Sequence, residues 1–93
     1  MPDTAHAFIW YHGDIKHVSN YQQWLILAHD SLNISARLLI RTEAGKTTFM
    51  EIFEHMDVEM LENLSILADQ QSCFQGIERH VEIFRELGEE HPS

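Results

Sequence analysis

Basic residues and thiols are the scarce groups in this chain of 93 residues: six Lys and Arg stand against fifteen Asp and Glu, and Cys73 is the single cysteine. A formal net charge of −9 has the wrong sign for attraction to a phosphate backbone, so nucleic acid is not an expected partner. One thiol supports neither an intramolecular disulfide nor a Cys-based zinc site, and a reducing cytoplasm is the expected compartment. Uncharged apolar runs of bilayer-spanning length are missing, and the opening residues lack the basic and apolar regions of a secretion signal, so neither a membrane span nor export is expected. The body has no internal linker, repeat or low-complexity stretch. Its length suits one small domain over residues 1–93, with an ordered core at about 6–86 and an acidic tail over 87–93.

Apolar residues make up 44% of the chain, enough to bury a core, and their spacing divides it into elements. His6 to His12 is rich in Phe, Ile, Trp and Tyr and stops at Gly13-Asp14, which predicts a strand. Val18, Tyr21, Leu25, Ala28 and Leu32 recur every three or four residues, and Ser19 with Gln22 has the spacing of a capping box, which predicts a helix over 19–32. Ile34 to Thr42 and Lys46 to Glu54 alternate as strands around the short linker Glu43-Ala44-Gly45, as a hairpin does. Asp57 is a good N-cap for a second helix ending near Gln70 to Ser72, and Glu78 to Phe84 is a last extended run.

The order βαββαβ is that of a ferredoxin-like α+β fold, a four-stranded antiparallel sheet in strand order 4-1-3-2 with both helices on one face. Alternation assigns Ala7, Ile9, Leu38, Ile40, Met50, Ile52, Val81 and Ile83 to the helix-covered side. The opposite side then holds Phe8, Trp10, His12, Arg37, Leu39, Arg41, Phe49, Glu51, Phe53, His80, Glu82 and Phe84. Five large aromatics are too many for a face left in water, and no spare segment of the chain is long enough to cover it. A second copy of the same sheet is therefore the expected cover, giving a homodimeric α+β barrel.

Such a face supports two readings. In one, Arg37 and Arg41 pair with Glu51 and the aromatics fill a silent interface. In the other, a pocket for a small organic molecule remains, walled by Trp10, His12, Arg37, Phe49 and Phe53, with His80, Glu82 and Glu51 as candidate acid-base groups. His80 and Glu82 are two apart on one strand, about 7 Å along it, so pairing across to Trp10 or His12 is the nearer option. A different class of function stays open beside these, a non-catalytic regulatory or structural dimerisation module with a protein partner.

Seven histidines raise a metal question, but none are spaced as compact ligands, and neither a metal nor a cofactor is expected. His29 flanks the inward stripe of the first helix, a weak signal for haem. Cys73 has no basic sequence neighbour to activate it, so packing is its expected role, while Trp24 is either core or a second contact surface.

The strands Phe8-Ile9-Trp10-Tyr11-His12, Ala36-Arg37-Leu38-Leu39, Phe49-Met50-Glu51-Ile52-Phe53-Glu54 and Arg79-His80-Val81-Glu82-Ile83-Phe84 together resemble the domain of unknown function 4936 family, small stand-alone bacterial proteins. The resemblance covers about 6–84. It implies a cytoplasmic protein of the dimeric α+β barrel group, which includes cofactor-independent monooxygenases, small isomerases and cyclases, haem-degrading enzymes and ligand-sensing domains, so it selects no activity. The motif residues Arg37, Glu51, His80 and Glu82 coincide with the face assigned by alternation.

Overall fold

A computed structural model describes residues 5–86. Strand β1 (Ala5–His12) leads through a 3-10 turn (Ile15–His17) into helix α1 (Val18–Leu32). The hairpin β2 (Ala36–Glu43) and β3 (Lys46–Met56) follows, then α2 (Val58–Asp69), a second 3-10 turn (Ser72–Phe74) and β4 (His80–Arg85). The sheet runs β2-β3-β1-β4 with every neighbouring pair antiparallel, which is 4-1-3-2 counted from the other edge. The acidic tail expected over 87–93 lies outside the described residues.

Local chemistry explains the boundaries. Asp57 accepts from the backbone N of Met60 at 2.8 Å, and Glu59 sits in the positive first turn of α2. The capping box expected at Ser19 is not used, because the 3-10 turn, held by Asp14 accepting from Lys16 N at 3.0 Å, already feeds α1 one residue earlier. Asn33, left-handed at φ 58°, closes α1 by donating its N–H to His29 O. Ala44 and Gly45 are left-handed as well, at φ 54° and 76°, the backbone of a tight two-residue hairpin turn that sets Glu43 opposite Lys46.

Both helices lie on the side of the sheet that carries Ala7, Ile9 and Tyr11, and they bury these with Tyr21, Trp24, Ala28, Leu64 and Ala68. Trp24 is core, 2% exposed. Four further rings, Tyr11, Tyr21, Phe49 and Phe74, complete an aromatic cluster of edge-on and stacked contacts.

In β3 the structure reverses the alternation expected from sequence. Phe49, Glu51 and Phe53 pair with Tyr11, Ile9 and Ala7, and all three are buried beneath the helices. Met50 and Ile52 lie on the helix-free side beside Trp10 and Phe8. Both parities of this strand are apolar, so the charge of Glu51 argued for the wet side. Volume and pairing won instead: two Phe rings fill the space under the helices, and Glu51 finds cationic and hydrogen-bonding partners there. Near its end β3 carries a bulge, with Glu54 and left-handed His55 opposite His6, so Met56 returns to the core.

Candidate functional site

The helix-free face is built on the two central strands. Phe8, Trp10 and His12 of β1 lie beside Ile52, Met50 and Thr48 of β3, with Arg37, Leu39 and Arg41 along β2 and His80, Glu82 and Phe84 along β4. Leu39 is 47% exposed and Phe84 55%, large apolar side chains left uncovered among the charged ones of this face. Trp10 organises the centre. Its indole stacks on the His80 ring at 4.0 Å between centroids, donates Nε1–H to Glu82 at 3.3 Å and meets His12 edge-on at 5.6 Å. The oxygen of Thr48 lies 3.1 Å from His12 Nδ1, and Phe8 packs edge-on against Phe84.

Two shallow concavities open here. One, about 550 Å³, has Trp10, His12, Leu39, Arg41, Met50 and Glu82 among its walls, and the other, about 450 Å³, lies against His6, Phe8 and Phe84. Of the residues expected at a pocket, Trp10, His12, Arg37, His80 and Glu82 share this face. His80 and Glu82 do not touch each other among the described contacts; Trp10 contacts both, and the nearest carboxylate to His80 is Glu78 at 4.0 Å. Arg37 makes no hydrogen bond or ion pair among the described residues, and Arg41 reaches only Glu43, at 4.0 Å.

Glu51, Phe49 and Phe53 are on the opposite side. Glu51 is 0% exposed and forms the hub of a polar network: Tyr11 donates to it at 2.6 Å, Trp24 Nε1 at 3.1 Å, and Arg79 in bidentate fashion at 2.9 and 3.1 Å. Each carboxylate oxygen receives two hydrogen bonds, which leaves none directed at a substrate. Burial, followed by the Glu51 charge, drives the Tyr11 phenol far above its ordinary pKa, so it remains a donor. The Arg79 guanidinium lies 4.1 Å over the Phe74 ring. Glu51 is thus an anchor between sheet and helix layer, and the expected pairing with Arg37 is replaced by one with Arg79. The available signal was the Phe-x-Glu-x-Phe alternation, since a carboxylate between two core rings demands a buried cation.

His29 projects outward beside Asp30, 57% exposed. Burial raises the pKa of the half-buried Cys73 thiol, which disfavours the nucleophilic thiolate. Among the described residues no group of three or more His, Cys, Asp or Glu is placed to hold a metal ion, and no helix is long and apolar enough to cross a membrane.

No protein-family model and no curated protein matches the chain. Among solved structures it is similar to the de novo designed protein Foldit4, at a TM-score of 0.72 and 16% identity over 90% of this chain and 99% of that one. The de novo designed protein Ferredog-Diesel matches at 0.52 and 14% identity, over 88% and 86% of the two chains. PelD 156-455 from Pseudomonas aeruginosa PA14, in complex with c-di-GMP, matches at 0.52 and 15% identity, with 90% of this chain spanning 33% of that one. At such identities the likeness defines the fold class, a ferredoxin-like α+β protein, and nothing finer.

Proposed function

We propose that the protein is a cytoplasmic homodimer that joins two copies through their helix-free sheet faces and holds a small organic molecule in the space between them. The observation that carries this reading is the uncovered apolar surface of Phe8, Trp10, Leu39, Met50 and Phe84, with its two concavities. Four strands spaced about 4.8 Å apart and about 25 Å long present roughly 500 Å² in projection, and side-chain relief raises that toward the ~800 Å² per partner of a stable complex.

Charge supports the same reading. Arg37 and Arg41 lie on edge strand β2, and Glu82 lies on the opposite edge strand β4. A twofold axis parallel to the strands sets β2 of one copy over β4 of the other, so that Arg37, which shares its row across the sheet with Glu82, meets Glu82 of the second copy. An axis across the strands would set arginine against arginine. Specificity for a second copy in this orientation follows from the sign pattern. The enclosed groups then suit a planar or apolar ligand against Trp10, with His80 and Glu82 as the nearest proton-transfer groups.

The test combines sedimentation analysis with charge exchange. Wild type is expected to be a dimer at micromolar concentration, while Arg37→Glu/Arg41→Glu and Glu82→Arg each give monomers and their mixture restores a heterodimer. A monomeric wild type, or a mixture that stays monomeric, removes the proposal. Native mass spectrometry then separates the functions: a dimer with a defined extra mass supports ligand binding, and a dimer with none is a structural dimerisation module.

A further inference from the structure

Strand β4 is the edge of the sheet beside β1, and its outward backbone N–H and C=O groups have no strand partner among the described residues. Edge strands are ordinarily blunted by a bulge or a proline, yet the β1–β4 register is unbroken from His80 to Arg85 and the strand holds no proline. Val81 and Ile83 pair with Ile9 and Ala7 and so point to the helix side, but α2 leaves them 54% and 47% exposed. A cavity of about 310 Å³ remains between α2 and β4, with Leu61, Leu64, Ile77, Val81 and Ile83 in its walls. On the other edge, Ala36 and Leu38 of β2 pack against the core, and only Ile40 of that apolar row is left half-exposed.

Unpaired edge groups are satisfied by another strand, and β4 is complementary to itself. A twofold axis perpendicular to the sheet keeps both faces of the sheet on their own sides, so it passes where one residue of β4 stands opposite its own copy. An axis at Ile83 sets Val81 opposite Arg85, Glu82 opposite Phe84 and His80 opposite Glu86 of the second copy, which places an imidazole against a carboxylate at both ends of the pair. The exposed Val81 and Ile83 side chains of the two copies then join into one apolar row across the axis. An axis at Glu82 would set that carboxylate against itself, and an axis at Phe84 would set Glu82 against Glu86, both destabilising. An axis nearer either end would leave most of β4 unpaired. We propose that β4 is a docking edge for the β4 strand of a second copy, with the twofold axis at Ile83 and an eight-stranded sheet as the product. This surface is distinct from the sheet-face contact, from which Ile83 points away, and each face dimer retains two β4 edges through which it extends.

Two short strands bury less than the ~1,200 Å² of a standard interface, so the association is weak and is read by sedimentation equilibrium at about 0.1–1 mM protein. Wild type is compared with Arg37→Glu/Arg41→Glu, which removes the sheet-face contact and leaves β4 untouched. Both should associate further as concentration rises, the charge variant from monomer to dimer. Ile83→Lys sets like charges together at the axis and should abolish this step, while its melting midpoint in dilute solution stays close to wild type because the residue is half-exposed. Cross-linking then reads the register in a Cys73→Ser background. With oxidised glutathione, Ile83→Cys should form a covalent dimer, since directly opposed residues have Cα atoms about 4.5–5.5 Å apart. Val81→Cys should not, because it lies roughly 14 Å from its own copy. A wild type that is monomeric at micromolar concentration and still cross-links through position 83 supports the edge pairing while removing the sheet-face dimer. The proposal is overturned by the absence of association up to about 1 mM in both proteins, by association retained in Ile83→Lys, or by equal cross-linking at positions 81 and 83.

Discussion

Substituting Glu51 by Gln keeps the shape of the side chain and removes its charge, which isolates what the buried ion pair contributes. In the native protein all four hydrogen bonds to Glu51 come from donors, namely Tyr11, Trp24 and two nitrogens of Arg79. Glutamine replaces one acceptor oxygen with an NH₂ group that faces donors, and it leaves the Arg79 guanidinium, 13% exposed, without its counter-charge. Breaking a buried pair from one side costs about 3–5 kcal/mol. A domain of this length holds about 5–14 kcal/mol in total, so the variant should lose about a fifth of its stability or more. Urea unfolding followed by tryptophan fluorescence at fixed protein concentration should show the midpoint falling by about 2–4 M, given a slope near 1.3 kcal/mol/M. Arg79→Met, which keeps an apolar stem over Phe74, provides the other arm of a double-mutant cycle. The double variant should be less damaged than the sum of the singles by about 2 kcal/mol or more. A Glu51→Gln cost below about 1 kcal/mol, with no coupling to Arg79, would refute the assignment of Glu51 as the hub.

Alkaline pH should destabilise the fold. Tyr11 and Tyr21 have pKa values raised in the folded protein, so their contribution is complete below the ordinary phenol pKa near 10 and is lost as pH rises above it, where only the unfolded chain ionises. Tyr11 should add a slope approaching about −1.4 kcal/mol per pH unit and Tyr21 a smaller one of the same sign, so Tyr11→Phe should remove the larger share when urea midpoints are compared at pH 9, 10 and 11. Asp57→Ala removes the side-chain acceptor for Met60 N at the start of α2 and should cost about 1 kcal/mol in the same unfolding assay; no loss would mean that this cap is satisfied by water.

Element types were legible because each has a local cause. A period near 3.6 and the Asp57 cap specify α2, and the residues around Ala44-Gly45 specify a hairpin. The order of elements then restricts the sheet to the observed arrangement. Phe8, Trp10, His12, Arg37, His80 and Glu82 could be assigned to one face because β1, β2 and β4 have a single plausible parity. Local pattern could not decide β3, where Phe49, Glu51 and Phe53 compete with Met50 and Ile52. Only the tertiary structure resolves that choice, because Arg79, Tyr11 and Trp24 reach Glu51 from three other parts of the chain. Composition and periodicity report what a residue prefers next to its neighbours in sequence. Which buried charge is matched depends on groups that only folding brings within a few ångströms.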